Sequence, residues 1–213
     1  MQYIIPSNLG WLESKLYPEE IKLLWNYILE ANVNAKPNLV GHLHESLYLK
    51  DKKNQFFDRT LIQYCSHYAF KFGNQGDKIP TTGQHQMCLE SFWVNRMRKY
   101  DFNPFHNHFG VYSFVIWLDI PTDYREQYAT TEANDGGSAS NFEFMYTNIL
   151  GEITTYKYQL SEESNGTILF FPSKLMHGVY PFYNCDDERI SVSGNIAICL
   201  LYTSPSPRDP KSS

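Results

Sequence analysis

The sequence predicts a mainly β protein, an all-β barrel or jelly roll, with helices packed against it from the N-terminal side. Helical periodicity is confined to the first eighty or so residues, whereas short strand-like segments follow one another from residue 84 onward. Aromatic residues make up 16% of the chain, which favours β structure. A chain of 213 residues suits one domain. We therefore expect residues 1–83 to form a helical buttress and residues 84–198 the β core of the same domain.

Two helices are predicted in the N-terminal part. The first begins at Pro18, because proline suits the first turn and two glutamates follow it at the positive end of the helix dipole. Its apolar stripe has helical spacing. The second helix spans about 54–72 and ends at Gly73, a residue typical of helix C-termini. The apolar stripe of the first helix consists of Ile21, Leu24, Trp25, Ile28 and Leu29.

The strands are predicted from β-branched and aromatic runs bounded by turn residues. The most apolar run covers 111–120, and the run at 189–196 alternates apolar and polar residues. The segment between Thr122 and Ser140 contains small polar residues, so it is either a lid over a substrate or a plain surface insertion. The predicted strands cover residues 84–94, 111–120, 142–146, 153–160, 166–172 and 189–196.

Charge and cysteine usage exclude several classes of protein. The net charge is −5 and no basic stripe is present, which disfavours nucleic-acid binding. The N-terminus lacks a basic signal-peptide region, and no apolar stretch is long enough for a membrane span. The four cysteines form no C-x-x-C pair, so a zinc ribbon is excluded, and we expect reduced thiols in a cytoplasmic, intracellular protein. Residues 199–213 are rich in Ser and Pro and are interpreted as a non-native or disordered tail.

Three histidines are the candidate metal ligands. His106 and His108 stand two residues apart before the most apolar strand, and a period of two would place both imidazoles on one strand face. Neutral imidazole suits iron, zinc or copper. His177 follows the run 166–172, which Pro172 ends, and it could supply the third ligand from a turn.

A second H-x-H pattern occurs at His42 and His44. It lies in a short polar loop and no long strand follows it. We therefore interpret these two histidines as surface or loop residues rather than as metal ligands.

Arg189 is the candidate anion-binding residue. It opens the last predicted strand, and Ser191 lies two residues further on the same face. Arginine binds carboxylates through two parallel hydrogen bonds and stays charged, so this pair suits the distal carboxylate of a dicarboxylic acid. The competing interpretation is a surface arginine paired with the acidic run 186–188.

Together, the His106-x-His108 pair, the turn that delivers His177 and the strand beginning at Arg189 resemble the 2-oxoglutarate- and iron(II)-dependent oxygenases related to the prolyl hydroxylases. The resemblance covers about residues 90–196, and the most similar branch is common in phages and marine metagenomes. It implies a double-stranded β-helix, a jelly-roll or cupin-like barrel, with Fe(II), 2-oxoglutarate and O2 as cofactors. It further implies iron ligation by His106 and His177, and co-substrate binding by Arg189 with Ser191 and, in a looser match, Trp117.

The sequence departs from the family pattern at His108, where relatives carry an acid. Three options follow. His108 is itself a ligand in a three-histidine site, which we favour because the H-x-H spacing keeps the geometry. Alternatively, His108 lies behind the ligands and an acid such as Glu143 completes the site, or the metal is absent and the protein is inactive.

Two other functions are compatible with the same residues. A cupin-type metal dioxygenase or isomerase would share the barrel, but it would have a glutamate soon after the second histidine, whereas the first acid after His108 is Asp119. A non-catalytic jelly-roll binding protein or phage structural protein would bind no iron. For the oxygenase, the expected substrate is a small molecule or a protein side chain, with no nucleic acid or membrane; the sequence does not indicate the oligomeric state.

Overall fold

Two antiparallel β-sheets form the centre of the protein in the computed structural model, which describes residues 1–4, 8–80, 85–130 and 137–200. The helices are α1 (Pro18–Glu30), α2 (Ile62–Phe72) and α3 (Tyr124–Thr130). The strands are β1 (Leu12–Lys15), β2 (Val33–Asn34), β3 (Glu45–Tyr48), β4 (His85–Met97), β5 (Asn103–His106), β6 (Tyr112–Asp119), β7 (Phe142–Thr147), β8 (Ile153–Tyr158), β9 (Thr167–Pro172), β10 (Met176–Val179) and β11 (Arg189–Leu200).

The larger sheet has seven strands in the order β1-β9-β6-β11-β4-β3-β2, and the smaller sheet has four in the order β5-β10-β7-β8. Phe144 and Phe142 of the smaller sheet pack with Phe171, Val115 and Trp117 of the larger sheet in one buried cluster. The two sheets therefore face each other as a jelly roll, and the predicted fold class is confirmed.

The N-terminal helices cover the other face of the larger sheet. Leu24 of α1 and Tyr68 of α2 belong to the same buried cluster as Phe92, Phe114 and Phe170 of the sheet. At the start of α1, the backbone N–H of Tyr17 donates to the Glu20 carboxylate (2.8 Å), which satisfies a backbone group that the helix leaves free. The helices thus bury the outer sheet face and leave the space between the sheets for a site.

The N-terminal part also contributes strands that the sequence did not predict. β1 pairs with β9, and β3 pairs with β4, so the buttress extends the larger sheet at both edges. These strands have two to four residues each, too few for a recognisable alternation. The second predicted helix is confirmed as a π-helical turn (Phe57–Leu61) that continues into α2.

The expectation of four reduced thiols was wrong for one pair. Cys88 on β4 and Cys199 on β11 form a disulfide whose Cα atoms are 6.0 Å apart, while Cys65 and Cys185 are free. Antiparallel pairing of β4 with β11 places Ala197 opposite Cys88, which brings Cys199 to a diagonal position. β11 therefore includes Cys199 and Leu200, the first two residues of the expected tail, and residues 201–213 lie outside the described part.

Across the described ranges, no helix has the length and apolar character that a membrane crossing requires.

Candidate metal centre

His106 and His177 face each other across two neighbouring strands of the smaller sheet. His106 is the last residue of β5 and His177 is the second of β10, and the strand register places the two directly opposite. Their ring centroids are 4.4 Å apart. Antiparallel pairing therefore brings together two imidazoles that are 71 residues apart in the chain.

In both residues a backbone carbonyl accepts a hydrogen bond from ring atom Nδ1. The acceptor is Pro104 O for His106 (2.7 Å) and Leu175 O for His177 (2.9 Å). A carbonyl can only accept, so Nδ1 carries the proton and Nε2 keeps its lone pair. A backbone carbonyl that fixes the tautomer in this way is the usual support of a metal-binding histidine.

His108 reaches the same point from the turn between β5 and β6. The expectation that it shares one strand face with His106 was wrong, because β5 ends at His106 and the apolar strand β6 belongs to the other sheet. The backbone N–H of His108 donates to Ser173 O (2.8 Å). Gly110 allows this turn, since its φ is +99° and a Cβ there would lie 2.7 Å from Ile196 O.

The three imidazoles converge in a group that could hold one metal ion. Candidate ligand atoms of His106, His108 and His177 all lie within 4.8 Å of one another. No other such group of histidine, cysteine and acidic residues occurs in the ranges that the structure describes. The sequence-predicted histidines are therefore brought together, and their role as metal ligands stays a prediction.

Aromatic side chains shield His177 from water, while His106 and His108 are half-buried. Phe142, Phe144 and Phe171 surround His177, with ring centroids 4.9 to 6.4 Å from its ring. Burial lowers the pKa of His106 and His108, to about 4 for His108, and the pKa of His177 falls well below its usual value. All three rings are therefore neutral at pH 7, which is the form that donates an electron pair to a metal.

Arg189 lies in the same cavity and is only 1% exposed. Its Nη2 donates to the carbonyl and to the hydroxyl of Ser140, while Nε and Nη1 are buried without a hydrogen-bond partner. The acidic run that could have paired with it lies elsewhere, since Glu188 pairs with Arg96 and Arg98, and Asp186 pairs with Lys99. Burial lowers the pKa of Arg189 to about 9, so the guanidinium is still charged at neutral pH.

One narrow cavity connects the cation with the histidines. Ser191 and Trp117 also line it, and they lie opposite each other on β11 and β6. The five residues predicted to lie at the site with His106 therefore do share one cavity. The buried charge of Arg189 makes this cavity suited to an anion. The cavity is lined by His106, His108, His177, Arg189, Ser191 and Trp117, together with residues such as Trp93, Asn95 and Asn103.

Glu143 does not reach this cavity. It lies on β7 opposite Gly178, whereas its neighbour Phe144 lies opposite His177, so the carboxylate and the imidazole are on different faces of the smaller sheet. Glu143 is buried, and its Oε1 is 4.0 Å from Lys157 Nζ. Asp119, the acid that a cupin interpretation would need, is also absent from the cavity lining.

Sequence reasoning missed the residues that hold Arg189. Ser140 contacts its Nη2, and the Phe182 ring centroid is 4.9 Å from its guanidinium carbon. Both lie in irregular segments outside the predicted strands, and neither matches a recognisable motif. Ser140 ends the segment that was expected to be either a lid or a surface insertion, and nothing in its sequence indicated a contact with Arg189.

The arrangement therefore defines a class of protein, a jelly roll with three converging histidines that could hold a metal ion and a buried arginine in the same cavity. The chain matches the model of the family described as "Putative 2OG-Fe(II) oxygenase" over residues 91–195. That segment carries all three histidines and Arg189. This match covers 105 of the 213 residues and identifies the protein as a 2-oxoglutarate- and iron(II)-dependent oxygenase.

Solved structures support the fold. A prolyl-4-hydroxylase from Pseudomonas putida matches with a TM-score of 0.51 and 14% identity, over 89% of this chain and 92% of that chain. An oxidoreductase of the 2OG-Fe(II) oxygenase family from Burkholderia pseudomallei matches with a TM-score of 0.51 and 14% identity, over 88% of this chain and 85% of that chain. No curated protein matches the sequence. The narrower assignment to a phage or marine branch stays a prediction.

Proposed function

We propose that His106, His108 and His177 hold the iron(II) ion, that Arg189 binds the distal carboxylate of 2-oxoglutarate with Ser191 and Trp117 beside it, and that the enzyme hydroxylates a C–H bond. The observation that carries the proposal is the buried guanidinium whose Nε and Nη1 have no partner in the cavity that contains the three imidazoles. An unpaired buried charge costs several kcal/mol, so a counter-anion is expected beside the Arg189 guanidinium.

The side chains that line the cavity fit iron(II) and 2-oxoglutarate. Three neutral imidazoles offer the nitrogen ligands that iron(II) accepts, and the arginine offers charged donors to a carboxylate. When bound, iron(II) with 2-oxoglutarate and O2 supplies the oxidising chemistry, in which the co-substrate loses CO2 to become succinate while a substrate C–H bond is hydroxylated. The chain itself orients the co-substrate through Arg189 and keeps water away with Phe142, Phe144 and Phe171.

The substrate is proposed to approach through a wider cleft in front of the histidines. This cleft shares His106, His108, Trp93, Asn95 and Asn103 with the inner cavity. Among the described residues that line it there is no lysine or arginine, one acid (Glu90) and several asparagines, which disfavours an anionic substrate and favours one with many hydrogen-bonding groups. A peptide or a neutral small molecule has this chemistry. The asparagines of the cleft are Asn38, Asn95, Asn103, Asn107 and Asn195.

The decisive experiment is an anaerobic titration of the protein with iron(II) and then 2-oxoglutarate, followed by the visible charge-transfer absorption and by succinate formation after O2 is admitted. The wild-type protein should bind both. Arg189→Ala should weaken 2-oxoglutarate binding at least about 30-fold, because it removes one member of a buried charge pair, and leave iron affinity within about twofold.

Arg98→Ala is the matched control, since Arg98 is a half-exposed arginine whose partner is Glu188. It should leave both affinities unchanged. If the wild-type protein shows neither the absorption band nor succinate, the oxygenase function is wrong. If Arg189→Ala binds 2-oxoglutarate as tightly as the wild type, the role of Arg189 is wrong.

A further inference from the structure

The hydrogen bonds of Arg189 are divided between the protein and the cavity. Nη2 donates to Ser140 O (3.0 Å) and also to Ser140 Oγ. Nη2 has two N–H groups, so this one serine uses both of them. The N–H groups of Nε and Nη1 have no protein partner and are the ones left for a ligand.

Ser140 is itself fixed from several sides. It is fully buried, its backbone N–H donates to Pro181 O (2.8 Å), and its hydroxyl lies 3.2 Å from the Thr122 hydroxyl. Its φ is +68°, in the left-handed region that a non-glycine residue seldom adopts. Backbone strain of this kind persists only where the surrounding contacts hold the residue firmly.

The guanidinium also contacts the ring of Phe182, which is fully buried. The ring constrains the plane of the guanidinium, and Ser140 constrains its rotation within that plane. Neither side chain lines the cavity, so both act from behind Arg189. Removing the serine hydroxyl would free one Nη2 N–H and let the guanidinium turn.

We propose that Ser140 is a positioning residue that orients Arg189 for the distal carboxylate of the co-substrate and so sets the preference for a dicarboxylic 2-oxo acid. This inference rests on the proposed function of the cavity. It predicts that the effect of Ser140 depends on whether the ligand has a distal carboxylate. A serine that only stabilises the fold would affect all ligands alike.

The test measures equilibrium binding of two ligands to the iron(II)-loaded protein under anaerobic conditions. The ligands are 2-oxoglutarate and 2-oxopentanoate, which has the same chain length but no distal carboxylate. Ser140→Ala removes the hydroxyl, and Ser140→Gly removes it from a residue that adopts positive φ without strain. Each variant should weaken 2-oxoglutarate binding about tenfold, as expected for one hydrogen bond to a charged group, and leave 2-oxopentanoate binding within about twofold.

Ser161→Ala is the control, because Ser161 is similarly buried but does not line the cavity or contact Arg189. It should change neither affinity. If both Ser140 variants weaken the two ligands equally, or weaken neither, the proposal for Ser140 is overturned while the oxygenase function stands. If the wild-type protein itself does not bind 2-oxoglutarate more tightly than 2-oxopentanoate, the proposed function of Arg189 fails as well.

Discussion

The protein contains the same H-x-H pattern twice, and the two copies have different surroundings. His42 and His44 are exposed side chains. His42 stacks on Phe102 at a centroid distance of 5.9 Å, and His44 Nε2 lies 4.0 Å from a carboxylate oxygen of Glu188. His106 and His108, by contrast, converge with His177 within 4.8 Å.

The difference shows that H-x-H spacing alone does not bring three histidines together. The backbone at His42 pairs with Phe102 in an isolated bridge, and among the described residues His42 and His44 belong to no three-residue group of candidate ligands. The backbone at His106 pairs with β10, which supplies His177 directly opposite. A neighbouring strand and an aromatic enclosure therefore distinguish the site from the surface copy of the pattern.

The largest effect on iron(II) affinity should come from truncating one of the three converging histidines. His177→Ala removes one of three nitrogen donors from the cavity, so iron(II) affinity should fall by more than about 100-fold, beyond what loss of a supporting hydrogen bond usually costs. Isothermal titration with iron(II) under anaerobic conditions measures this. His42→Ala is the matched change in the exposed pattern, and equal losses in both variants would contradict the assignment of the site.

A smaller effect on iron(II) affinity is expected when a carboxylate replaces the second histidine of the His106-x-His108 pattern. His108→Asp introduces a negative charge beside a divalent cation, so iron(II) should bind about tenfold more tightly. His44→Asp makes the same substitution in the exposed pattern and should leave iron affinity unchanged. An unaltered iron affinity in both His108→Asp and His108→Ala would show that His108 is not a ligand.

The smallest effect is expected at Glu143. Glu143→Gln removes a charge from the opposite face of the smaller sheet, so iron(II) affinity should stay within about twofold of the wild-type value. Anaerobic isothermal titration of Glu143→Gln with iron(II) measures this affinity. A loss as large as that of His177→Ala would mean that Glu143, and not His108, completes the metal site.

Much of the fold was predictable because its longest segments carry their own signal. The helix at Pro18, the apolar strand β6 and the alternating strand β11 each show the expected periodicity. β1, β2 and β10 are too short for that, and they exist because neighbouring strands supply their hydrogen bonds. The pairing of Cys88 with Cys199 likewise depends on the register of β4 and β11, across 111 residues of sequence.

The side chains that line the cavity were more predictable than the residues that hold Arg189 from behind. Residue types and spacing indicated the three histidines that converge, and the position of Arg189 at a strand start indicated the arginine that lies in their cavity. Ser140 and Phe182 were not predictable, because their roles follow from where two irregular segments pass behind β11. The expectation that His108 would share a strand face with His106 was wrong because β5 ends at His106, so His108 lies beyond the strand.

The position of the cavity between the sheets has a mechanical consequence. His106 and His177 belong to the smaller sheet, whereas Arg189 and Ser191 belong to the larger one. A molecule that contacts both groups acts as a cross-link between the two layers, and any separation of the layers must first release it. The free energy of binding is then added to the free energy of unfolding. Ligand occupancy should therefore slow hydrogen exchange in β10 and β11 together, so that the two halves of the sandwich open as one unit.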